Sequence, residues 1–274
     1  MSLNLSWTPS AIVLSELYQG GCFSLAPDKS SQRLGDMVRE LWSELFDCTA
    51  ADVHAHYHNT EILRRLKALR QRLYQSDRIR KQQCAVAIEA GLTGDRIWID
   101  ALRIRVLTPH MLRLTEALPV YYAHRDTWYA NPLEQVNIWM PLGDVCAEES
   151  FEIYPHYFQS PIKNSSHEFD YSYFSSHIGW QSSDSGQAQA YPSALEKLHG
   201  PCLSIEGPTD SIWCFSGQHL HQSCRGQKHT RVSIDFRCIP QYHKASCPPK
   251  NVDNASLGST RDDFFCMEIS NLLA

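Results

Sequence analysis

The first residues that could do chemistry are a histidine and an aspartate two positions apart. His124 and Asp126 follow the run Tyr121-Tyr122-Ala123, which has the composition of a β-strand. Side chains of equal parity leave the same face of a strand, so both residues can reach one metal ion. Two ligands alone do not define a site, and a third is required.

A second histidine motif supplies the third ligand. His219 and His221 lie in Gly217–Ser223, directly after the strand-like run Ile212–Phe215. His221 is favoured because a Gln-Ser pair follows it and because Arg231 lies ten positions later, and His219 is the alternative. Two histidines and a carboxylate on one side of a metal leave the opposite positions open. This arrangement suits non-haem Fe(II) that binds a bidentate keto acid and then dioxygen.

A cationic side chain and a hydroxyl follow on the next predicted strand, Thr230–Arg237. Arg231 and Ser233 share one face of that strand. A guanidinium fork and a hydroxyl are the groups that the terminal carboxylate of 2-oxoglutarate requires. The pattern therefore indicates a site for this co-substrate beside the metal.

With these elements the chain resembles the Fe(II)/2-oxoglutarate-dependent dioxygenases, and within them the phytanoyl-CoA dioxygenase-like family. The resemblance covers the helical start of the chain and then the motifs His124-Arg125-Asp126, Asn137–Leu142, His221-Gln222-Ser223 and Arg231-Val232-Ser233. It implies a mainly β fold, a double-stranded β-helix (a jelly roll or cupin-like barrel) with an α-helical N-terminal part.

The resemblance also implies the roles of the motif residues and the reaction. Fe(II) would be held by His124, Asp126 and His221, and 2-oxoglutarate would be bound or lined by Arg231, Ser233, Trp139 and Asn137. The implied activity is the hydroxylation, or another oxidation, of an unactivated carbon in a small metabolite or natural-product intermediate. Dioxygen is consumed, and succinate and CO2 are released.

The elements that must position these motifs differ between the two parts of the chain. Apolar side chains at helical spacing predict helices over Ala11–Tyr18, 28–46 and 60–91, with a short strand at Cys22–Leu25. From about Ile97 onwards, short β-type runs alternate with Pro, Gly, Asn, Asp and Ser, which is typical of an antiparallel barrel or jelly roll. The predicted strands are Leu102–Leu107, Val120–Ala123, Gln135–Pro141, Phe151–Tyr154, Ile212–Phe215, Val232–Arg237 and Phe264–Ile269.

We expect a single domain over residues 1–274, with 1–95 as helical support and 96–274 as the β core. A chain of this length usually builds one large core. Residues 155–200 have no clear period and are longer than a plain connection, so we expect a lid-like insert there.

Composition restricts the partners and the compartment. The net charge of −5 comes without a long run of one sign, which gives no footprint for nucleic acid or for an anionic membrane. No segment has the roughly 18–20 apolar residues of a membrane span, and no basic region precedes an apolar block at the start, so we expect a cytoplasmic protein. Ten scattered cysteines without a C-x-x-C pair then indicate reduced thiols. The expected partner is a small-molecule substrate.

Two other functions remain open from the sequence. Asp52–His58 resembles the first metal motif of a zinc-dependent amidohydrolase through His54 and His56, a class that predicts parallel β/α alternation. The same histidines also fit the residues that precede a helix opening near Thr60. The second alternative is a barrel that binds a small molecule without turnover. The cationic face within Arg64–Lys81 is either solvated or the contact surface of an acidic partner or of a homodimer.

Overall fold

Two antiparallel β-sheets form the body of the chain, and the N-terminal helices cover one of them. The computed structural model describes residues 12–92, 94–109, 121–178, 191–224, 229–241 and 247–271. Its helices are α1 (Leu14–Leu17), α2 (Lys29–Ser43), α3 (Val53–His56), α4 (Asn59–Gln75), α5 (Asp77–Glu89) and α6 (Tyr171–Tyr173). Its strands are β1 (Phe23–Leu25), β2 (Arg96–Ile99), β3 (Arg103–Leu107), β4 (Val136–Pro141), β5 (Phe151–Ile153), β6 (Leu203–Ser204), β7 (Ile212–Ser216), β8 (His221–Ser223), β9 (Arg231–Pro240) and β10 (Phe265–Glu268).

Helix α2 begins where the sequence provides a cap. The carboxylate of Asp28 accepts a hydrogen bond from the backbone N–H of Ser31, and the Ser31 hydroxyl accepts one from the N–H of Asp28. Leu34, Val38 and Trp42 then recur every four residues and are buried. One face of α2 therefore packs into the core, as the spacing of its apolar residues predicts.

The larger sheet has the strand order β1-β7-β4-β9-β2-β10, and β3 also pairs with β9. The first half of β9 pairs with β3 and its end pairs with β2, so this long strand spans the sheet. The smaller sheet has the order β6-β5-β8. All neighbouring strands in both sheets run antiparallel.

The two faces of the larger sheet have different partners. Alternate residues of β9, including Val232, Ile234 and Phe236, join the helices in the main core. On the opposite face, β4 and β7 pack against β5 of the smaller sheet through Trp139, Trp213, Phe215, Phe151 and Ile153. The sheets therefore lie face to face with helices outside, which confirms the predicted mainly β fold with an α-helical N-terminal part.

Several predicted boundaries were wrong or cannot be compared. Tyr121–Ala123 is not a strand, because only the next residue, His124, makes a β-bridge. Val120 and residues 179–190 of the predicted insert lie outside the described residues, as does Ala11 at the start of the first predicted helix. The short strands β2, β6 and β8 were not predicted.

The cysteines with free thiols include the buried residues Cys84, Cys214 and Cys238. No helix in the described ranges combines the length and the apolar character of a membrane-spanning segment.

Candidate metal centre

His124 and His221 lie directly opposite each other on neighbouring segments. The backbone N–H of His124 donates to the carbonyl oxygen of His221 at 2.9 Å, and the N–H of His221 donates back at 3.0 Å. Directly opposed residues of an antiparallel pair project their side chains to the same face. The two imidazole centroids are accordingly only 4.4 Å apart.

Each imidazole is held through its Nδ1 atom. Nδ1 of His124 lies 2.8 Å from the carbonyl oxygen of Tyr122, and Nδ1 of His221 lies 3.0 Å from that of His219. A carbonyl oxygen can only accept, so each Nδ1 carries the hydrogen and each Nε2 keeps its lone pair. Burial, together with the neighbouring His124, lowers the pKa of His221 to about 4. At neutral pH the His221 ring is therefore in the form that binds metal ions.

Asp126 turns one carboxylate oxygen toward these rings. Its Oδ1 lies 3.6 Å from Nε2 of His124 and 4.0 Å from Nε2 of His221. The other oxygen, Oδ2, accepts hydrogen bonds from Asn137 Nδ2 (2.6 Å), Gln135 Nε2 (3.0 Å) and Arg237 Nε (3.4 Å). These donors fix the orientation of the carboxylate and leave Oδ1 facing the two Nε2 atoms.

Arg237 also keeps Asp126 ionised. Burial would by itself raise the pKa of Asp126, but the charge of Arg237 and the contacts with His124 and His221 hold that pKa well below its usual range. Arg237 is in turn buried between two carboxylates, since its Nη1 lies 3.5 Å from Oδ2 of Asp100. The carboxylate of Asp126 is therefore paired with the buried Arg237, which Asp100 contacts from the other side.

The three side chains are placed to share one metal ion. One ligand atom each of His124, Asp126 and His221 lies within 4.8 Å of the others. No other group of three His, Cys, Asp or Glu side chains in the described ranges has such a geometry. Two imidazoles and one carboxylate are the donor set of non-haem Fe(II), and they leave the remaining coordination positions to other ligands.

A second polar group lies on the inner face of β9. Nε and Nη1 of Arg231 and Oγ of Ser233 are buried, and none of these atoms has a hydrogen-bond partner in the part of the chain that the structure describes. Burial lowers the pKa of Arg231 to about 10, so the guanidinium still carries its charge at neutral pH. Unpaired buried donors of this kind are costly, and an anionic partner would satisfy them.

Three polar residues near these groups were not assigned a role from the sequence. Gln135 and Arg237 both donate to Asp126, and Ser223 lies two residues beyond His221 on the same face of β8. For Gln135 and Arg237 the available signal was a polar residue beside or within a largely apolar strand.

His219 does not face the metal ligands. Its ring is fully buried, with Nδ1 3.1 Å from the carbonyl oxygen of Ser216 and Nε2 3.2 Å from that of Gly20. The group that contains Asp126 includes His221 instead.

Asn137 and Trp139, which the resemblance assigns to 2-oxoglutarate, lie in different surroundings. The amide of Asn137 donates to Asp126 and accepts from Gln135, so it lies behind a candidate metal ligand. Trp139 packs edge-on against Phe151, with ring centroids 5.2 Å apart, in the core between the sheets.

The histidines of the alternative zinc motif are used in other ways. Nδ1 of His54 lies 2.7 Å from the hydroxyl of Thr230, and Nδ1 of His58 lies 3.1 Å from that of Thr60. The antiparallel pairing in both sheets also differs from the parallel alternation of an amidohydrolase. The described residues give that interpretation no support.

Aromatic side chains from the predicted insert pack against Tyr129, which lies beside His124. The ring of Tyr129 meets that of His124 edge-on at 5.2 Å. Tyr129 packs in turn with Phe169, Phe174 and Tyr191, all within 155–200. These three aromatic residues of the insert therefore form, with Tyr129, one packed cluster next to His124.

Comparison with solved structures finds several similar proteins. The non-heme alpha ketoglutarate dependent epimerase SnoN from nogalamycin biosynthesis shares 12% identity at a TM-score of 0.39, over 90% of this chain and 95% of that one. The non-heme monooxygenase ThoJ, in its Ni complex, shares 12% identity at a TM-score of 0.44, over 91% and 88%. EvdO2 from Micromonospora carbonacea var. aurantiaca, complexed with 2-oxoglutarate, shares 10% identity at a TM-score of 0.40, over 65% and 66%.

At these identities the likeness concerns the fold alone, and no residue role is taken from these proteins. No family model and no curated protein matches the sequence.

Proposed function

We propose that this chain is a Fe(II)- and 2-oxoglutarate-dependent oxygenase that hydroxylates an unactivated carbon of a small molecule. The observation that carries the proposal is the presence of two features together in the β core. One is a two-histidine, one-carboxylate group whose ligand atoms lie within 4.8 Å of one another. The other is a buried arginine and serine without partners among the described residues. A metal and a keto diacid together would satisfy both.

The donor set fits Fe(II). His124, Asp126 and His221 would hold the ion through Nε2, Oδ1 and Nε2, the atoms that face one another. Hydrogen bonds donated by both Nδ1 atoms, and those accepted by Oδ2 of Asp126, already fix these side chains before any metal binds. When bound, Fe(II) supplies the redox chemistry that couples decarboxylation of the keto acid to substrate oxidation by dioxygen.

The anion site fits the distal carboxylate of 2-oxoglutarate. Other arginines on this face already have carboxylate partners: Nε of Arg105 lies 2.8 Å from Asp235, and Arg237 lies between Asp126 and Asp100. Arg231 has no such partner in the described ranges. Its two free donors and the Ser233 hydroxyl would bind a carboxylate in a charge-assisted, water-poor setting, where such bonds are strong.

The substrate we infer is a small metabolite or a natural-product intermediate. Tyr129, which is backed by Phe169, Phe174 and Tyr191, lies beside His124 and would keep water from the reacting atoms. Hydroxylation is the outcome we propose for this substrate.

The test is oxygen-dependent formation of succinate from 2-oxoglutarate. Purified protein loaded with Fe(II) is incubated under air with a metabolite extract, and products with a mass gain of one oxygen are followed by mass spectrometry. We expect activity that a divalent-metal chelator and His124→Ala both abolish. Binding of 2-oxoglutarate without any turnover across the extract would favour the non-catalytic barrel, and succinate formation that ignores the chelator would exclude the proposed site.

A further inference from the structure

Arg125, the residue between the two ligands of the first motif, is fully buried and projects away from the metal side. It has no exposed surface. Its guanidinium donates hydrogen bonds to the carbonyl oxygens of Gln218, Tyr157 and Ser160 and to the carboxylate of Asp253. One side chain therefore connects the first metal motif to three other segments of the chain.

The contact with Gln218 joins the two halves of the metal centre. Gln218 precedes His221 by three residues and lies in the turn that leads into β8. A second link runs in parallel, since the backbone N–H of Thr127 donates to the carbonyl oxygen of Gly217 at 3.3 Å. The two segments that carry the candidate ligands are therefore joined in two places. The backbone pair His124–His221 is one, and the hydrogen bonds of Arg125 and Thr127 to Gln218 and Gly217 are the other.

Asp253 neutralises this buried charge. Its side chain is 6% exposed, and an Oδ1 atom lies 3.1 Å from Nε of Arg125. It also accepts hydrogen bonds from Nε1 of Trp128 at 2.8 Å and from the N–H of Ile162 at 3.0 Å. Asp253 belongs to the segment between β9 and β10, far in sequence from both metal motifs. Without this carboxylate, the guanidinium would be left charged and buried, which proteins rarely tolerate.

We propose that Asp253 is a positioning residue of the metal centre, which acts through Arg125 to set the separation of the two ligand segments. Loss of its charge lets Arg125 turn toward water and release the carbonyl of Gln218. The segment that carries His221 then moves relative to Asp126, and the affinity for a divalent cation falls. This inference rests on the proposed function only in requiring that His124, Asp126 and His221 bind such a cation.

The chain offers a matched control elsewhere. Asp210, at the loop before β7, pairs with Arg39 of α2 at 2.8 Å, and its side chain is 7% exposed. Both Asp253→Asn and Asp210→Asn remove one carboxylate of similar burial while keeping the shape. Asp210 has a positive φ of 63°, a conformation that asparagine also tolerates. In the part of the chain that the structure describes, the Asp210 carboxylate bonds to Arg39 and to no ligand segment.

The experiment is a titration of the metal-free full chain with Co(II), followed by visible absorption and by calorimetry, with thermal unfolding of each metal-free variant alongside. We expect Asp253→Asn to weaken Co(II) binding by about tenfold or more, in the range known for outer-shell partners of metal ligands. Asp210→Asn should bind Co(II) as the unmodified chain does, although both variants unfold at lower temperature.

Every other result contradicts either the proposed function or the proposed role of Asp253. Failure of the unmodified chain to bind Co(II) would overturn the proposed function itself. Normal Co(II) affinity in Asp253→Asn, or an equal loss in Asp210→Asn, would overturn the role of Asp253 and leave the function untouched. If Asp253→Asn does not fold, Asp253→Glu keeps the charge but shifts the carboxylate by one methylene, and the same order of affinities is expected.

Discussion

The side-chain amide of Asn137 donates to Oδ2 of Asp126 at 2.6 Å, so a residue of β4 decides which oxygen of that carboxylate faces the two imidazoles. Gln135 strengthens the arrangement, because its Nε2 donates both to Asp126 and to the side-chain oxygen of Asn137. The oxygen that could bind a metal is therefore selected by neighbours that do not touch the metal themselves.

Replacement of Asn137 by alanine should weaken metal binding. We expect Asn137→Ala to lower Co(II) affinity by about 10–100-fold, since Asp126 loses its shortest hydrogen bond and can rotate. Calorimetric titration measures the change. Gln82→Ala is the control, because that amide donates to the carbonyl of Ser30, in the helical part of the chain. An unchanged Co(II) affinity with a weaker affinity for 2-oxoglutarate would instead place Asn137 at the co-substrate.

The two histidines of the second motif should behave in opposite ways. His221→Ala is expected to abolish stoichiometric metal binding, as is His124→Ala, because each removes one of three ligands. His219→Gln should keep the metal, since that side chain points to the carbonyl oxygens of Ser216 and Gly20. Metal content after gel filtration distinguishes the variants. Retention of metal by His221→Ala and its loss from His219→Gln would reverse the assignment.

Replacement of Arg231 should affect stability and co-substrate binding in opposite directions. Arg231→Met removes buried donors that lack partners, so the ligand-free protein should gain about 1–3 kcal/mol in free energy of unfolding. Its affinity for 2-oxoglutarate should fall by about 100-fold, as expected for a lost charge-assisted pair of bonds. Urea unfolding with and without 2-oxoglutarate measures both effects.

Arg105→Met is the contrasting variant for this experiment. Arg105 pairs with Asp235 at 2.8 Å, so its removal leaves a carboxylate without its partner and should destabilise the ligand-free protein. If Arg231→Met is destabilised to the same extent, then Arg231 already has a partner and the anion site is wrongly placed.

Burial should divide the thiols into reactive and protected groups. Burial raises the pKa of Cys84 to about 11 and raises that of Cys238 as well. We expect an alkylating reagent at pH 7.5 to modify the exposed thiols first, with Cys84, Cys214 and Cys238 modified only after unfolding in urea. The exposed thiols to compare are those of Cys146, Cys202 and Cys266. Peptide mass spectrometry gives the rates, and rapid labelling of Cys238 in the folded protein would contradict the packing of β9.

The features that could be predicted from the sequence are those with a local signal. The helices have apolar residues at regular spacing, and β4, β7 and β9 are long enough for an apolar run to identify them. The strand predicted at Val120–Ala123 was wrong over its described residues 121–123, because their aromatic side chains resemble a strand while the backbone pairs only at His124. β6 has only two residues and β8 reads His-Gln-Ser, so neither contains an apolar run that could identify it as a strand.

Contacts between distant segments had no such signal. The neighbouring positions of His124 and Asp126 indicated a shared face, but the direct pairing of His124 with His221 depends on how the two segments meet. The role of Asp253 was equally hidden, because nothing near that residue in the sequence points to Arg125. The partner of a buried charged residue can be identified only from the folded structure.

The unpaired donors of Arg231 also have a consequence for the lifetime of the protein. A compound that binds only the folded state shifts the folding equilibrium toward it, in proportion to how far its concentration exceeds its dissociation constant. A keto diacid that binds this guanidinium would thus stabilise the folded protein. When the acid is scarce, the ligand-free protein would unfold more often and be degraded by proteases. Turnover and protein lifetime would then respond to the same metabolite.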